Sequence, residues 1–522
     1  MSVSIDTSPV APAATAMPAF DRWLRSFAEL TVTIAIAAMV TVVPVAAHGI
    51  HAGLGMITAL LLAAAVAWRL PQVALVAILF SFLFQNLFVS LMSGFVRSET
   101  DFDIIRAYNF LILCVTWLVV VVRFLANWNL RVRAIEPYVK VSVALMAAIG
   151  VYFLVGFVFN GMTAVIYLRN IVTPLLLFQI CLALFSSYEV RISSAIAALG
   201  VLGAVCGLFE FAARDAWLAW TNGYGYWELA AGGPNWATLE WDKATRETGR
   251  VIVGLTDTFT IDFFNSPLLA DIGIRMMRLF GPNMHAISFS YALSFFTIFA
   301  LFRGRFIQAA VLLFLVFLCN AKGPMILIAL TGVGWVLFRL FGAGFAFLVH
   351  AVALCCYAVI GVIVGLRIGD FHVLGLMAAL HEFPLNPIGY GIGTAGNLSP
   401  QFTTIDWYEA QAIGRTPFPV ESSIGVLMHQ MGVFALAIVA AYVWLGWRVM
   451  RIARETGNAL HAAAALALLA VVANGLFQEE AFFAPLALAL YLGLAGMIIG
   501  AAARTGLEER IAAEPGLSPG SR

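Results

Sequence analysis

Charge is missing from this chain in long, regularly spaced blocks, and that spacing constrains the fold more than any motif does. A helix needs roughly 20 apolar residues to cross the hydrocarbon core of a bilayer, and blocks of about that length recur about fourteen times. They fall near 29–47, 53–68, 73–92, 107–123, 141–159, 164–187, 194–213, 284–302, 306–320, 324–341, 344–366, 424–447, 459–477 and 483–502. Of 522 residues, 62% are hydrophobic and only 11% charged, so most of the surface must face lipid or other apolar helices. The expected fold is an all-α, polytopic transmembrane bundle.

Lys and Arg are retained on the cytoplasmic side during insertion, and here they collect in every second gap. The inner set is Arg22, Arg25, Arg69, Arg123, Arg131, Arg133, Lys140, Arg191, Arg303, Arg305, Arg339, Arg448, Arg451, Arg454, Arg504 and Arg510. Both ends are therefore expected in the cytosol, with 1–28 a disordered tail, 29–502 the transmembrane domain and 503–522 a second tail. Cys114, Cys181, Cys206, Cys319, Cys355 and Cys356 fall in or beside apolar blocks without zinc or disulfide spacing, and read as small packing residues.

Two segments break the tight alternation, 214–282 and 370–423, and both fall on the expected outer side. Loops this long are uncommon unless functional. The first is dense in aromatics, including Trp217, Trp220, Tyr224, Tyr226, Trp227, Trp236 and Trp241, which suit an aromatic belt, a carbohydrate-stacking surface, or both. It ends in Arg275-Met-Met-Arg278-Leu-Phe-Gly281-Pro282-Asn283-Met-His285. There a Gly-Pro-Asn break before a helix leaves backbone N–H groups suited to an anion, and two arginines three apart share one face of a short helix. Lys322 sits in the turn Asn320-Ala-Lys-Gly323-Pro324. The second loop holds His381 and the glycine run Gly389, Gly391, Gly393, then Glu421-Ser-Ser and His429. No strand precedes those glycines, so they are not a nucleotide fingerprint.

In this order, Arg278-Leu-Phe-Gly-Pro-Asn283, Ala321-Lys-Gly-Pro324, His381 to Gly393 and Glu421 to Gly432 resemble the O-antigen ligase and polymerase superfamily. These are bacterial membrane glycosyltransferases that join lipid-linked oligosaccharides outside the inner membrane. Tyr167-Leu-Arg169-Asn170 is similar to the family's arginine near an outer helix end. The resemblance covers roughly residues 160–500, with one departure: where ligases of the family often place His-Asn, this chain has Glu421 and Ser422.

The resemblance implies attack by a sugar hydroxyl on the anomeric carbon of a glycan carried by polyprenyl pyrophosphate. Arg169, Arg275 and Arg278 would grip the pyrophosphate with Lys322 in support, and Glu421 would be the base. Asn283, His285, His381 and His429 would contact pyrophosphate or glycan. Arginines can supply the electrostatic stabilisation otherwise given by a metal, and the nearest carboxylate pair on that side, Asp101 and Asp103, reads as a solvated loop pair. No metal or other cofactor and no nucleic acid is expected. The partners implied are the lipid-linked glycan, the bilayer of the bacterial inner membrane, and a chain-length regulator and flippase of an export system. Polymerisation of surface or exopolysaccharide repeat units is favoured over ligation to a lipid or protein acceptor. A lipid-linked oligosaccharide flippase or other transporter, or an assembly subunit, are the readings from other classes.

Overall fold

The computed structural model describes residues 19–96, 98–127, 132–230, 260–262 and 275–513. Trp236, Trp241, Lys243, Arg246, Arg250 and Arg131 lie outside those residues. In chain order the helices are α1 (Ala19–Ile50), α2 (Ala52–Arg69), α3 (Pro71–Leu91), α4 (Glu99–Arg106), α5 (Tyr108–Ala126), α6 (Glu136–Asn160), α7 (Met162–Ser187) and α8 (Ser193–Ala212). Then come α9 (Arg214–Thr221), α10 (Gly223–Ala230), α11 (Ala286–Phe302), α12 (Phe306–Cys319), α13 (Lys322–Ile368), α14 (Phe371–Glu382) and α15 (Trp407–Ile413). The last are α16 (Ser423–Met431), α17 (Val433–Thr456), α18 (Ala459–Asn474), α19 (Glu480–Phe483), α20 (Leu488–Arg504) and α21 (Leu507–Ala513).

Among the described residues, nine helices (α1–α3, α5–α8, α13 and α17) are long and apolar enough to cross a membrane, and α11, α12, α18 and α20 are shorter apolar helices. Side chains such as Val158, Phe159 and Ile307 are at least 76% exposed. Faces of that kind are stable against lipid, where the helix satisfies its own backbone hydrogen bonds. The chain is a multi-pass, helical membrane protein.

Three local features set the packing. On α20, Cβ atoms added at Gly496 and Gly500 would lie 2.7 and 2.8 Å from the Phe178 and Leu182 carbonyl oxygens of α7. The missing side chains let the two backbones approach, as small residues do between membrane helices. The Ala-rich α18 is buried nearly all round, from Ala462 to Val472, and forms a central post. Helix α13 is broken at Gly342 (φ 81°, ψ 176°), where the sequence predicts a gap between two crossings. Its halves fold back on each other, since Gly334 and His350, equally far from the break, are in contact.

The expected tails are partly helical: α1 starts at Ala19, and α21 brings Glu508 to an ion pair with Arg448. Cys355 and Cys356 are exposed rather than packed, because they lie on an apolar face of α13 that no other helix covers, whereas Cys181 and Cys319 are buried. At one end of the bundle, Arg123 donates to the Trp68 carbonyl (2.7 Å), Arg191 N–H reaches Gln72, and Arg504 donates to the Phe185 carbonyl. The long connections gather at the opposite end.

Candidate functional site

The loop-bearing end holds a cavity of about 740 Å³. Its size suits a drug-sized or sugar-sized ligand. One wall is cationic: Arg106 from the end of α4, Arg169 from the first half of α7, and Arg278 from the segment before α11, with His285 beside them. The lining also carries an acidic side, Glu479, Glu480 and Asn397, with Tyr226 and Trp227 contributed by α10.

Arg278 is held by its backbone. The Arg214 guanidinium donates to the Met277 and Arg278 carbonyls (3.1 and 3.3 Å). Two residues on, the buried Glu210 carboxylate accepts the Phe280 N–H (2.9 Å) and the Gly281 N–H (2.6 Å). Hydrogen bonds to a charged group contribute about 1.5–3 kcal/mol each. Of the N–H groups at Gly281-Pro-Asn283 expected to suit an anion, that of Gly281 is thus occupied by the protein's own carboxylate, because Glu210 lies at the end of α8. Gly281 has φ +58°, and a Cβ there would strike the Phe289 ring at 2.4 Å. The expected short helix carrying Arg275 and Arg278 is instead strand β2 (Arg275–Met277), antiparallel to β1 (Thr260–Asp262), with Asp262 opposite Arg275. Arg278 follows that strand, and the Arg275 side chain is outside the description.

Among the described residues, neither Arg169 nor Arg278 has a carboxylate within salt-bridge distance, and Arg278 Nε is buried without a partner. Arg169 Nε donates to Asn170 at 3.2 Å. Burial pushes the Arg278 pKa down, but a guanidinium stays protonated at neutral pH. His285 caps α11, with Nδ1 accepting from Ser288 N–H at 3.3 Å. Its ring is exposed to the cavity, yet the surrounding protein, then Arg106 and Arg278, push its pKa down to about 4. The neutral ring then carries its proton on Nε2, as a donor.

Glu479 is locked. Tyr167 Oη donates to its Oε1 (2.7 Å) and Asn397 N–H to its Oε2 (3.0 Å). Burial lifts its pKa to about 8 against these two hydrogen bonds. Gly396 (φ +97°) makes that approach feasible, because a Cβ would lie 1.9 Å from Tyr167 Oη. Glu480 differs, since its Oε2 is buried with no partner. Its pKa is raised by burial and then by the Glu421 charge.

Glu421 adjoins the cavity without lining it. It precedes the Ser422 cap of α16 at φ +60°, donates its N–H to Asn397 Oδ1 (3.0 Å), and pairs with His372 Nδ1 at 3.3 Å. Burial raises its pKa, but the hydrogen bond and charge of His372 outweigh that and hold it below the ordinary carboxylate range. Burial likewise lowers His372, yet Glu421 and then Asp370 and Glu480 hold it up at about 9.

The pair has a signature in pH. The raised His372 value contributes stability fully below its ordinary 6.5, and loses it as pH climbs through about 9. The lowered Glu421 value contributes above the ordinary 4.5 and is lost on acidification. Melting of His372→Asn against the unaltered protein is expected to show the largest gap between these values, closing as pH rises past 9. A gap independent of pH would mean that the pair does not act as an ion pair. With 37% of the His372 side chain exposed, solvent screens part of it.

Other expected residues fall elsewhere. Asn283 lines the cavity but also donates to the Phe82 carbonyl (3.1 Å), while its own carbonyl accepts from Asn86. Lys322 begins α13 within electrostatic reach of Arg278 and Asp370, outside the cavity lining; Gly323 beside it abuts Gln478, where a Cβ would meet Oε1 at 2.1 Å. His381 is exposed at the end of α14. His429 pairs with Glu382 at 2.5 Å and stacks on Tyr390, not near Glu421, because α16 starts only at Ser423. Asp101 and Asp103 are on helix α4 rather than a solvated loop, and Asp101 pairs with His48 at 3.2 Å. Of the aromatics, Trp217, Tyr226 and Trp227 are core residues, and Trp220 and Tyr224 are exposed. Arg106, His372, Asn397, Glu479 and Glu480 are absent from the sequence reading of the site, and Tyr167 enters it only as the start of the Arg169 block. The two adjacent acids in the short gap after α18 were the available signal.

No protein-family profile matches this chain, and no curated protein matches it.

Proposed function

We propose that this protein is a metal-independent membrane glycosyltransferase that polymerises polyprenyl-pyrophosphate-linked oligosaccharide units. We take the nine long and four shorter apolar helices of the described residues, with α13 counted as two crossings about Gly342, as the fourteen passes expected from hydropathy. With Lys and Arg of the short loops retained on the cytoplasmic side, the cavity belongs on the outer face in this reading, and the proposed membrane is the bacterial inner membrane.

The observation that carries the reading is the convergence of Arg106, Arg169 and Arg278 in one cavity whose lining also holds Glu479 and Glu480, with neither Arg169 nor Arg278 in an ion pair among the described residues. Arg106 does lie 3.9 Å from Asp103 on its own helix, but that contact is largely solvent-exposed and weak. Unpaired guanidinium groups in a partly buried site are costly unless an anion completes them, and a diphosphate matches their bidentate geometry. As the anomeric bond breaks, charge builds on the departing diphosphate, and pre-placed cations stabilise it without reorganising. A carboxylate of the acidic side takes the acceptor's proton. Ligation to another acceptor uses the same chemistry and differs only in what delivers the hydroxyl.

The test is binding of undecaprenyl diphosphate to the purified protein in nanodiscs. Arg169→Gln and Arg278→Gln are each expected to weaken binding about ten- to a hundredfold, the loss of a charge-assisted contact. Inorganic pyrophosphate is expected to compete. Absence of binding by the unaltered protein, or equal binding by both variants, would sink the reading.

A further inference from the structure

The cavity lining offers two carboxylates, Glu479 and Glu480, with Glu421 just behind them, and their surroundings separate the three. Glu479 has both oxygens engaged, by Tyr167 Oη and Asn397 N–H. Glu421 stands behind Asn397, with its carboxylate given to His372. Glu480 lines the cavity together with Arg278, and among the described residues its Oε2 has no hydrogen-bond partner and its carboxylate no ion pair. Of the three, it is the carboxylate in the lining that the protein's own side chains leave unengaged, and a buried polar group of that kind is stabilised by a hydrogen bond from a hydroxyl.

We propose that Glu480 is the general base that deprotonates the attacking hydroxyl, with Glu421 and His372 positioning it electrostatically; this rests on the glycosyl-transfer reading above. The hydroxyl oxygen forms its bond to the anomeric carbon while its proton moves to the Glu480 carboxylate. The bond from that carbon to the phosphate oxygen breaks, and its electron pair leaves with polyprenyl diphosphate, held by the arginines. Glu480 afterwards releases the proton to water.

The charges facing Glu480 are Glu479 beside it, Glu421 and His372 across the loop, and Arg278. Burial and the Glu421 anion raise its pKa while His372 and Arg278 lower it. A base with a raised pKa abstracts protons more effectively near neutral pH. It must be ionised to act, so turnover falls as pH drops through that value.

The experiment pairs undecaprenyl diphosphate binding with polymer formation from lipid-linked oligosaccharide in nanodiscs, across pH, for Glu480→Gln, Glu480→Asp and Glu421→Gln. Glu480→Gln is expected to bind the diphosphate at least as well as the unaltered protein while turnover falls about 10²–10⁴-fold. Glu480→Asp is expected to keep part of the turnover with a displaced acidic limb. Glu421→Gln removes the neighbouring anion and, with it, the charge that Glu421 holds on His372, so the two changes offset and the limb is expected to move little. Full turnover by Glu480→Gln, or an acidic limb unmoved in Glu480→Asp, overturns the assignment. If Glu480→Gln does not fold, an Asp variant with unaltered turnover and pH profile overturns it equally. Failure of the unaltered protein to bind the diphosphate rejects the parent reading, and the assignment with it.

Discussion

Replacing Arg278 by Gln is expected to reduce turnover about 10²–10³-fold, the loss found when one pre-placed donor for a developing negative charge is removed. Its backbone is pinned on both sides, by Arg214 at the Met277 and Arg278 carbonyls and by Glu210 at the Phe280 and Gly281 N–H groups. The side chain therefore lines the cavity from a fixed base. Arg278→Lys retains the charge but loses the planar fork, so it is expected to recover only a small part of the rate. Polymer formed per unit time by reconstituted protein, alongside its melting temperature, reports both. A Lys variant as active as the unaltered protein would mean that charge alone matters. A Gln variant with unchanged turnover would remove Arg278 from the chemistry.

Gly156→Ala is the second large effect, and two rules give it opposite signs. Gly156 lies inside α6, where alanine is favoured over glycine by about 1 kcal/mol. Yet a Cβ there would sit 2.0 Å from the Ile392 carbonyl oxygen and 2.4 Å from its nitrogen. Those are backbone atoms, so no side chain can swing aside. Overpacking typically costs about 1–3 kcal/mol, and moving the loop also breaks the Ile392 N–H to Tyr152 carbonyl bond (3.1 Å), worth about 1 kcal/mol. Packing wins, and the melting temperature is expected to fall. Turnover is expected to fall with it, because Asn397 lies five residues along the same loop. Gly150→Ala on the same helix meets nothing within 4 Å and is the control, expected to be neutral or stabilising. Equal melting of the two variants would refute the close loop contact.

The fold is legible in the sequence to the extent that it depends on local pattern. Each apolar block is long enough to demand burial in lipid by itself, and breakers such as Gly342 and Gly281-Pro282 mark where one crossing ends. The site is legible only on its cationic side. Arg169 and Arg278 attract attention because a base near membrane level is costly, whereas Glu479 and Glu480 occupy a short gap that looks like a plain turn. Their meaning comes from partners far off in sequence: Tyr167 and Glu479 are 312 residues apart. His372 goes unnoticed for the same reason, being 49 residues from the carboxylate it holds. The error at Arg275–Arg278 has a different cause. A three-residue spacing suits a helix face, but strand pairing with Thr260–Asp262 decides the backbone there.

The cavity's cationic and acidic sides come from successive, non-overlapping stretches of the polypeptide. Arg106, Arg169, Arg278 and His285 all precede α11, while Asn397, Glu479 and Glu480 follow α14. A ribosome working from the N-terminus therefore delivers every guanidinium to the membrane well before the carboxylates that share the cavity with them. Translation reaches Glu479 and Glu480 only with the final pair of apolar helices, so the acidic side of the enclosure is the last part made, and a chain terminated before it carries Arg169 and Arg278 without those carboxylates.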